Sequence, residues 1–304
     1  EFNVSCNTLW LPDVFGFNGN LPQIMRGCGI KYFATTKLDW NQFDRLPHDT
    51  FIWKGIDGSE VLAHLITTCE YTEDNSKKTR YEGVMNPSHV LGTWHRYQDK
   101  EISNEVLMTY GYGDGGGGAT KEEMEYCSRL VKGIPGMPKV RCGFQGDFFK
   151  RLENSIKSAK NVPTWYGELY FEYHRGTYTS MARNKKYNRK CEILVGAVEY
   201  LSTLNNILGG DYPKDDIEKA WKVILLNQFH DILPGTAIKP VYDESQIQYE
   251  GIISNLQGLM KNLMRNISGK VNIQSPSMIV FNNSPYKRDG FIETEGLALE
   301  DDNG

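Results

Sequence analysis

Thr8-Leu-Trp-Leu-Pro-Asp-Val-Phe-Gly16, with Asn20-Leu-Pro22 and Ile30-Lys-Tyr-Phe-Ala-Thr35 behind it, is the stretch whose reading decides the fold. Residues 8–11 read as a strand. Asn20-Leu-Pro22 opens a short helix with proline in its first turn, and Gly29 closes it. Residues 30–35 read as the next strand. A strand, a helix and a strand at this spacing are the unit of a parallel sheet. Asp13 then falls just past the first strand, ahead of Gly16 and Gly19. In α/β architectures active-site side chains gather at that end of the strands. From position alone, a carboxylate there can attack a carbon, bind a metal or cap the next helix.

Further along, residues 51–66 read as a hairpin turning at Asp57-Gly58. Residues 88–98 read as a helix and 105–110 as a strand. Thr120-Lys-Glu-Glu123 has the form of a capping box at the head of an amphipathic helix over 121–132, and Asp147 is expected to cap another helix running to about Lys157. From residue 180 the pattern turns helical, over 188–208, 215–229 and 242–267. In the last of these, Tyr249, Ile252, Leu256, Leu259, Leu263 and Ile267 line one face. Three long helices with short loops predict a helical bundle. Ser277-Met-Ile-Val-Phe281 and Gly290-Phe-Ile-Glu293, either side of the turn Asn282-Asn-Ser-Pro285, read as strands beginning a β domain. The remaining run is too short for an independent sheet domain, so the C-terminus reads as cut.

The 304 residues are 39% hydrophobic, enough for a sizeable core. The net charge of -4, with both signs mixed, argues against a nucleic-acid partner and a polybasic membrane anchor. No apolar run reaches transmembrane length. The six cysteines are scattered without a Cys-x-x-Cys pair. Free, buried thiols in a reducing compartment are expected, hence a cytoplasmic location.

Three more segments carry chemistry. Gly111-Tyr-Gly-Asp-Gly-Gly-Gly-Gly118 holds Asp114 among six glycines. It lacks the Gly-Lys-Ser/Thr ending of a phosphate loop, which leaves a functionless flexible loop or a mobile loop presenting a general acid. Asn227-Gln-Phe-His-Asp231 sets His230 beside Asp231 at a helix end. That pair suits a metal ligand with a hydrogen-bonding carboxylate, or simply a histidine favourable with the helix dipole. Glu172-Tyr-His-Arg-Gly-Thr-Tyr-Thr-Ser180 crowds ionisable and aromatic groups where the two sequence patterns meet, as a ligand site or a polar linker. Two carboxylates, each in a glycine-containing loop after a strand, are the ingredients of glycoside hydrolysis by nucleophile and acid/base.

Trp10-Leu-Pro-Asp-Val-Phe-Gly16, Tyr32-Phe-Ala-Thr-Thr-Lys-Leu-Asp-Trp40, the glycine loop at 113–118, His174-Arg-Gly-Thr-Tyr-Thr-Ser180 and Asn227-Gln-Phe-His-Asp-Ile-Leu-Pro-Gly-Thr236 follow one another in the order seen in glycoside hydrolase family 38. The chain resembles the cytosolic-type α-mannosidase branch of that family over nearly its whole length. The resemblance implies a fold of α/β plus all-α class. Residues 1–175 would be the C-terminal part of an α/β, parallel (β/α) barrel-like catalytic domain. Residues 176–269 would be a three-helix middle domain, and 270–304 the start of a β-sandwich. It implies a retaining α-mannosidase, acting on mannose-containing oligosaccharides through a covalent mannosyl-aspartate and assisted by one zinc-type ion (or another divalent metal such as cobalt).

By the same resemblance, Asp13 is nucleophile and metal ligand, His230 a metal ligand and Asp114 the acid/base. Phe15, Lys37, His174, Tyr178 and Asp231 line the sugar pocket. The family's other two metal ligands lie in an upstream His-x-Asp motif, which occurs nowhere in this chain. Either a segment supplying it is missing here, or the chain is a remnant without the metal. As it stands it is expected to bind zinc weakly and to turn over aryl mannosides poorly or not at all. The alternatives are an inactive carbohydrate-binding remnant and a metal-dependent hydrolase like the polysaccharide deacetylases. Neither nucleic acid nor membrane is expected as a partner, and a homo-oligomer stays open.

Overall fold

The computed structural model describes residues 3–114, 116–273 and 277–290, and the chain divides into two compact units, Glu1–Gly176 and Thr177–Gly304. The first unit runs β1 (Thr8–Trp10), α1 (Leu21–Gly27), β2 (Tyr32–Thr35), β3 (Thr50–Lys54), β4 (Glu60–Leu65), α2 (Pro87–Arg96), α3 (Lys121–Leu130), α4 (Gln145–Ser158) and β5 (Thr164–Tyr166). Its five strands form one sheet in the order β1-β2-β4-β3-β5. β1, β2 and β4 are mutually parallel. β3 pairs antiparallel with β4, as the Asp57-Gly58 turn predicts, and parallel with β5. Among the described residues the sheet is open, with β1 and β5 at its edges.

β2 is buried on both faces, as an inner strand of a parallel sheet must be. Alternation sends its side chains two ways. Phe33, with Val61, Ala63 and Leu65 of β4, packs with Met25, Leu38, Trp53 and Phe171. Tyr32 and Ala34, with Leu62, pack under Phe148, Phe149 and Leu152 of α4.

The second unit is α5 (Ala182–Ile207), α6 (Lys214–Asn227) and α7 (Lys239–Ser268) around one core of Cys191, Val195, Val198, Leu201, Ile217, Ile224 and the α7 stripe. Tyr249, Ile252, Leu256, Leu263 and Ile267 are buried there as their spacing predicts, and Leu259 packs partly buried against them. No helix among the described residues is long and apolar enough to cross a membrane.

Four expectations need correcting. Residues 105–110 form no strand, because their N–H groups are taken by side chains. Ser103 Oγ accepts from Glu105, His64 Nε2 from Leu107 and Thr68 Oγ1 from Thr109, leaving only a parallel bridge between Tyr110 and Gly83. Asp147 is no cap: α4 starts at Gln145 behind Phe144, and Asp147 sits in its first turn. Residues 277–281 carry no strand, and 291–293 lie outside the described residues. The cysteines are neither all free nor all buried: Cys127 is disulfide-bonded to Cys142, Cys6 and Cys28 are exposed, and Cys69 and Cys191 are buried free thiols.

Candidate active site

The parallel register Thr8↔Tyr32 to Trp10↔Ala34 ends β1 and β2 side by side. The N–H groups of Thr36 and Lys37 both donate to Pro12 O at 3.1 Å, which fastens the two strand exits together. Asp13 and Lys37 therefore meet: Lys37 Nζ lies 2.6 Å from Asp13 Oδ1, and both side chains are 15% exposed. The ammonium supplies the counter-charge that a carboxylate largely withdrawn from water requires. It also lies 4.7 Å from the ring centroid of Trp40 and 5.6 Å from that of Phe15, within cation–π range.

A return of the chain closes one wall. Phe17 and Leu169 exchange both backbone hydrogen bonds at 2.9 Å. Gly16, at φ +105°, permits the approach, since a Cβ there would meet Leu169 O and Phe171 N at 3.3 Å. Phe171 and His174 thus come against Phe15. The His174 ring centroid is 4.9 Å from that of Phe15 and 5.4 Å from that of Phe171, edge to face in both cases. Glu172 is buried and accepts from the N–H groups of Gln42, Phe43 and Asp44, so it holds the loop after Trp40.

Asp114 arrives from the other side. The Gly83–Tyr110 bridge, with Gly111 N–H donating to Gly83 O at 2.9 Å, lays the glycine loop beside residues 79–83. Gly113 packs so closely that a Cβ would stand 2.7 Å from the ring of Tyr81. Tyr81, which sequence reasoning did not single out, joins the two carboxylates. Its hydroxyl donates to Asp114 Oδ1 at 2.5 Å and reaches Asp13 Oδ2 at 3.5 Å. Burial, then the Asp114 hydrogen bond and the nearby carboxylates, push the phenol above its ordinary value, so it keeps its proton. Pro12, Asp13, Lys37, Trp40, Thr79, Arg80, Tyr81 and Asp114 line a cleft of about 130 Å³.

Of the sequence-predicted residues, Asp13, Phe15, Lys37, Asp114 and His174 come together in this way. Tyr178, His230 and Asp231 belong to the second unit. Tyr178 ends a short helical turn, Arg175–Tyr178, and is exposed. His230 Nε2 lies 3.7 Å from Asp231 Oδ2, and Asp231 Oδ1 accepts from Thr236 Oγ1 at 2.6 Å. Among the described residues no three His, Cys, Asp or Glu side chains are grouped to hold a metal ion, and the Asp13 carboxylate is engaged by Lys37. Catalytic zinc takes three protein ligands. The donor set present does not fit the ion that the resemblance implies, and no step is routed through one.

The cleft thus sets one carboxylate at the exit of β1 and another in the glycine loop, joined by one phenol, with the Phe15 and Trp40 rings beside Lys37. Comparison with known proteins gives the class. Residues 1–168 match the glycosyl hydrolases family 38 N-terminal domain, and residues 172–267 match the alpha mannosidase middle domain. The chain belongs to glycosyl hydrolase family 38. It is 37% identical over 302 residues to Alpha-mannosidase 2C1 of Mus musculus, covering 98% of this chain and 27% of that protein. It is 39% identical over 250 residues to an Alpha-mannosidase of Saccharomyces cerevisiae, covering 80% of this chain and 22% of that protein. The chain thus spans about a quarter of the length of the curated relatives it matches. In fold it resembles the crystal structure of an alpha-mannosidase from Enterococcus faecalis V583, with a TM-score of 0.72 at 19% identity, covering 88% of this chain and 30% of that one.

Proposed function

We propose that this chain carries the catalytic carboxylates of a retaining α-mannosidase acting on mannose-containing oligosaccharides. The observation that supports it best is that Asp13 and Asp114 share the Tyr81 hydroxyl. Two oxygens at 2.5 and 3.5 Å from one hydroxyl lie at most about 6 Å apart, so the two carboxyl groups face one small space, as the two-carboxylate route requires.

In the first step an Asp13 oxygen bonds to the anomeric carbon, the bond from that carbon to the leaving oxygen breaks, and Asp114 donates its proton to that oxygen. In the second, Asp114 takes a proton from water, the water oxygen bonds to the anomeric carbon, and the bond to Asp13 breaks, releasing mannose with its configuration retained. Lys37 stays beside Asp13 as counter-charge. Phe15 and His174 offer the sugar an aromatic wall. Zinc-type metal binding remains part of the family expectation, and an ion would need donors beyond those the described residues group together. Membership of family 38, whose curated relatives here are named alpha-mannosidases, favours the glycosidase over a binding remnant and leaves the deacetylase alternative without support.

The test is azide rescue in the intact protein, with an aryl mannoside that needs no acid. Asp114→Ala should yield the α-mannosyl azide and Asp13→Ala the β-anomer, read by NMR. The same anomer from both variants would overturn the assignment of roles.

A further inference from the structure

In the second unit, the turn that follows His230-Asp231 is bonded through four consecutive carbonyls. Asp231 O accepts from the Thr236 and Ala237 N–H groups and from Tyr242 Oη at 3.0 Å. Ile232 O accepts from Asn184 Nδ2 at 3.3 Å, and Asn184 is itself fixed by Ser245 Oγ at 2.7 Å. Leu233 O and Pro234 O both accept from Lys185 Nζ, at 2.9 and 3.2 Å, while the third proton of that ammonium goes to Ser180 O at 2.5 Å. Surface turns leave most such carbonyls to water. Here α5 and α7 supply side chains for all four. Packing repeats the constraint: Gly235, at φ +93°, lies so near that a Cβ would meet Ser180 Cβ at 2.8 Å.

Helix α6 ends at Asn227; past it the N–H groups of Ile232 and Leu233 donate to Phe229 O at 2.9 and 3.1 Å, closing a single turn around His230 and Asp231, and that turn is fastened to α5 and α7 through the carbonyls of residues 231–234. The ammonium has no other described partner than these three carbonyls, and burial holds it below the ordinary lysine value. A lysine serving only solubility would project into water with its charge fully hydrated.

We propose that Lys185 is a positioning residue: its ammonium pins residues 233–234 to the start of α5 and so fixes the direction in which His230 and Asp231 are presented. The proposal rests on the reading, implied by the family resemblance, that His230 and Asp231 are functional residues. Misplacing a site group by about 1 Å costs on the order of 10²-fold in rate.

The experiment is steady-state kinetics of the intact protein with an aryl mannoside. His230→Ala should lose most activity, and retention of the wild-type rate there would remove the reading itself together with the proposal. Lys185→Met should lower kcat about 10–100-fold with KM within about threefold. Lys185→Cys should behave alike and recover to within about threefold when the thiol is aminoethylated, which rebuilds an ammonium at lysine's length. Carboxamidomethylation should not restore it, and the wild-type protein treated identically is the control for Cys6 and Cys28. Should Lys185→Met fail to fold, Gly235→Ala displaces the same turn from the Ser180 side and should lower kcat likewise. Lys185→Met or Gly235→Ala at the wild-type rate while His230→Ala is inactive, or no recovery on aminoethylation, overturns the proposal.

Discussion

A phenol has one proton, and Tyr81 sets that proton between two carboxylates. With Asp114 ionised, the short bond uses it. With Asp114 protonated, Asp114 can donate to the phenol oxygen, and the phenol proton is free to turn toward Asp13, 3.5 Å away. Tyr81 therefore follows the protonation state of Asp114. Tyr81→Phe removes this without removing the ring, and general acid–base assistance is worth about 10²–10⁴-fold. The expected result is a kcat lowered about 10–100-fold with KM within about threefold, measured with a substrate whose leaving group needs protonation. A substrate with an activated leaving group should lose much less in the first step. The place of Asp13 at the exit of β1 was legible in the sequence because a strand, a turn with Gly16 and Gly19, and a second strand bracket it. Tyr81 was not: it sits in Lys78-Thr-Arg-Tyr-Glu82, a run without periodicity. Its place follows from a single long-range bridge between Gly83 and Tyr110, and nothing local encodes that.

At the scale of elements, the glycine loop must lie against a ring. Gly113→Ala would place a Cβ 2.7 Å from the Tyr81 ring, so loop or ring has to move. A kcat loss comparable to that of Tyr81→Phe is expected, with a melting temperature near wild type, since the loop lies outside the hydrophobic clusters. The entry to β3 makes a separate prediction. Asp49 is buried, and its two oxygens accept from Gln98 N and Nε2 at 2.8 and 3.3 Å. Asp99 beside it accepts from the N–H groups of Asp49 and Thr50 and pairs with His48.

Burial first, then the Asp39 and Asp99 charges, raise the Asp49 carboxyl from 3.8 to about 7. A raised value in the folded state means that the folded protein holds the proton more tightly than the unfolded chain. This contribution is complete below about pH 4 and is lost as pH rises through 7. Asp49→Asn should therefore gain in melting temperature relative to wild type at about pH 8.5 compared with about pH 5, and thermal melts at the two pH values decide it. An equal difference at both would refute the buried-acid reading. The hairpin and the Thr120 capping box were legible because each is a local motif, and the capping box closes as its residues predict. The strand expected over 105–110 failed because His64, Ser103 and Thr68 compete for its N–H groups, a tertiary choice that alternation cannot reveal.

At the scale of the molecule, the two units draw on different cores. The helical unit is held by a cluster made only of α5, α6 and α7 residues with Phe281 alongside, legible in advance from the α7 stripe. Leu256 is fully buried within it. Leu256→Ala should cost about 2–5 kcal/mol. Hydrogen exchange followed by mass spectrometry should show faster exchange across α5–α7 while β2 and β4, packed in separate clusters, keep their protection. Uniformly faster exchange would mean that the chain unfolds as one unit.

Attack of Asp13 on the sugar is measured by incubating the intact protein with a fluorinated mannosyl donor, whose second step is slow enough for the covalent intermediate to accumulate, and mapping the adduct by peptide mass spectrometry. One mannosyl group, attached to Asp13, is expected. A label on any other residue, Asp114 included, would refute Asp13 as the nucleophile.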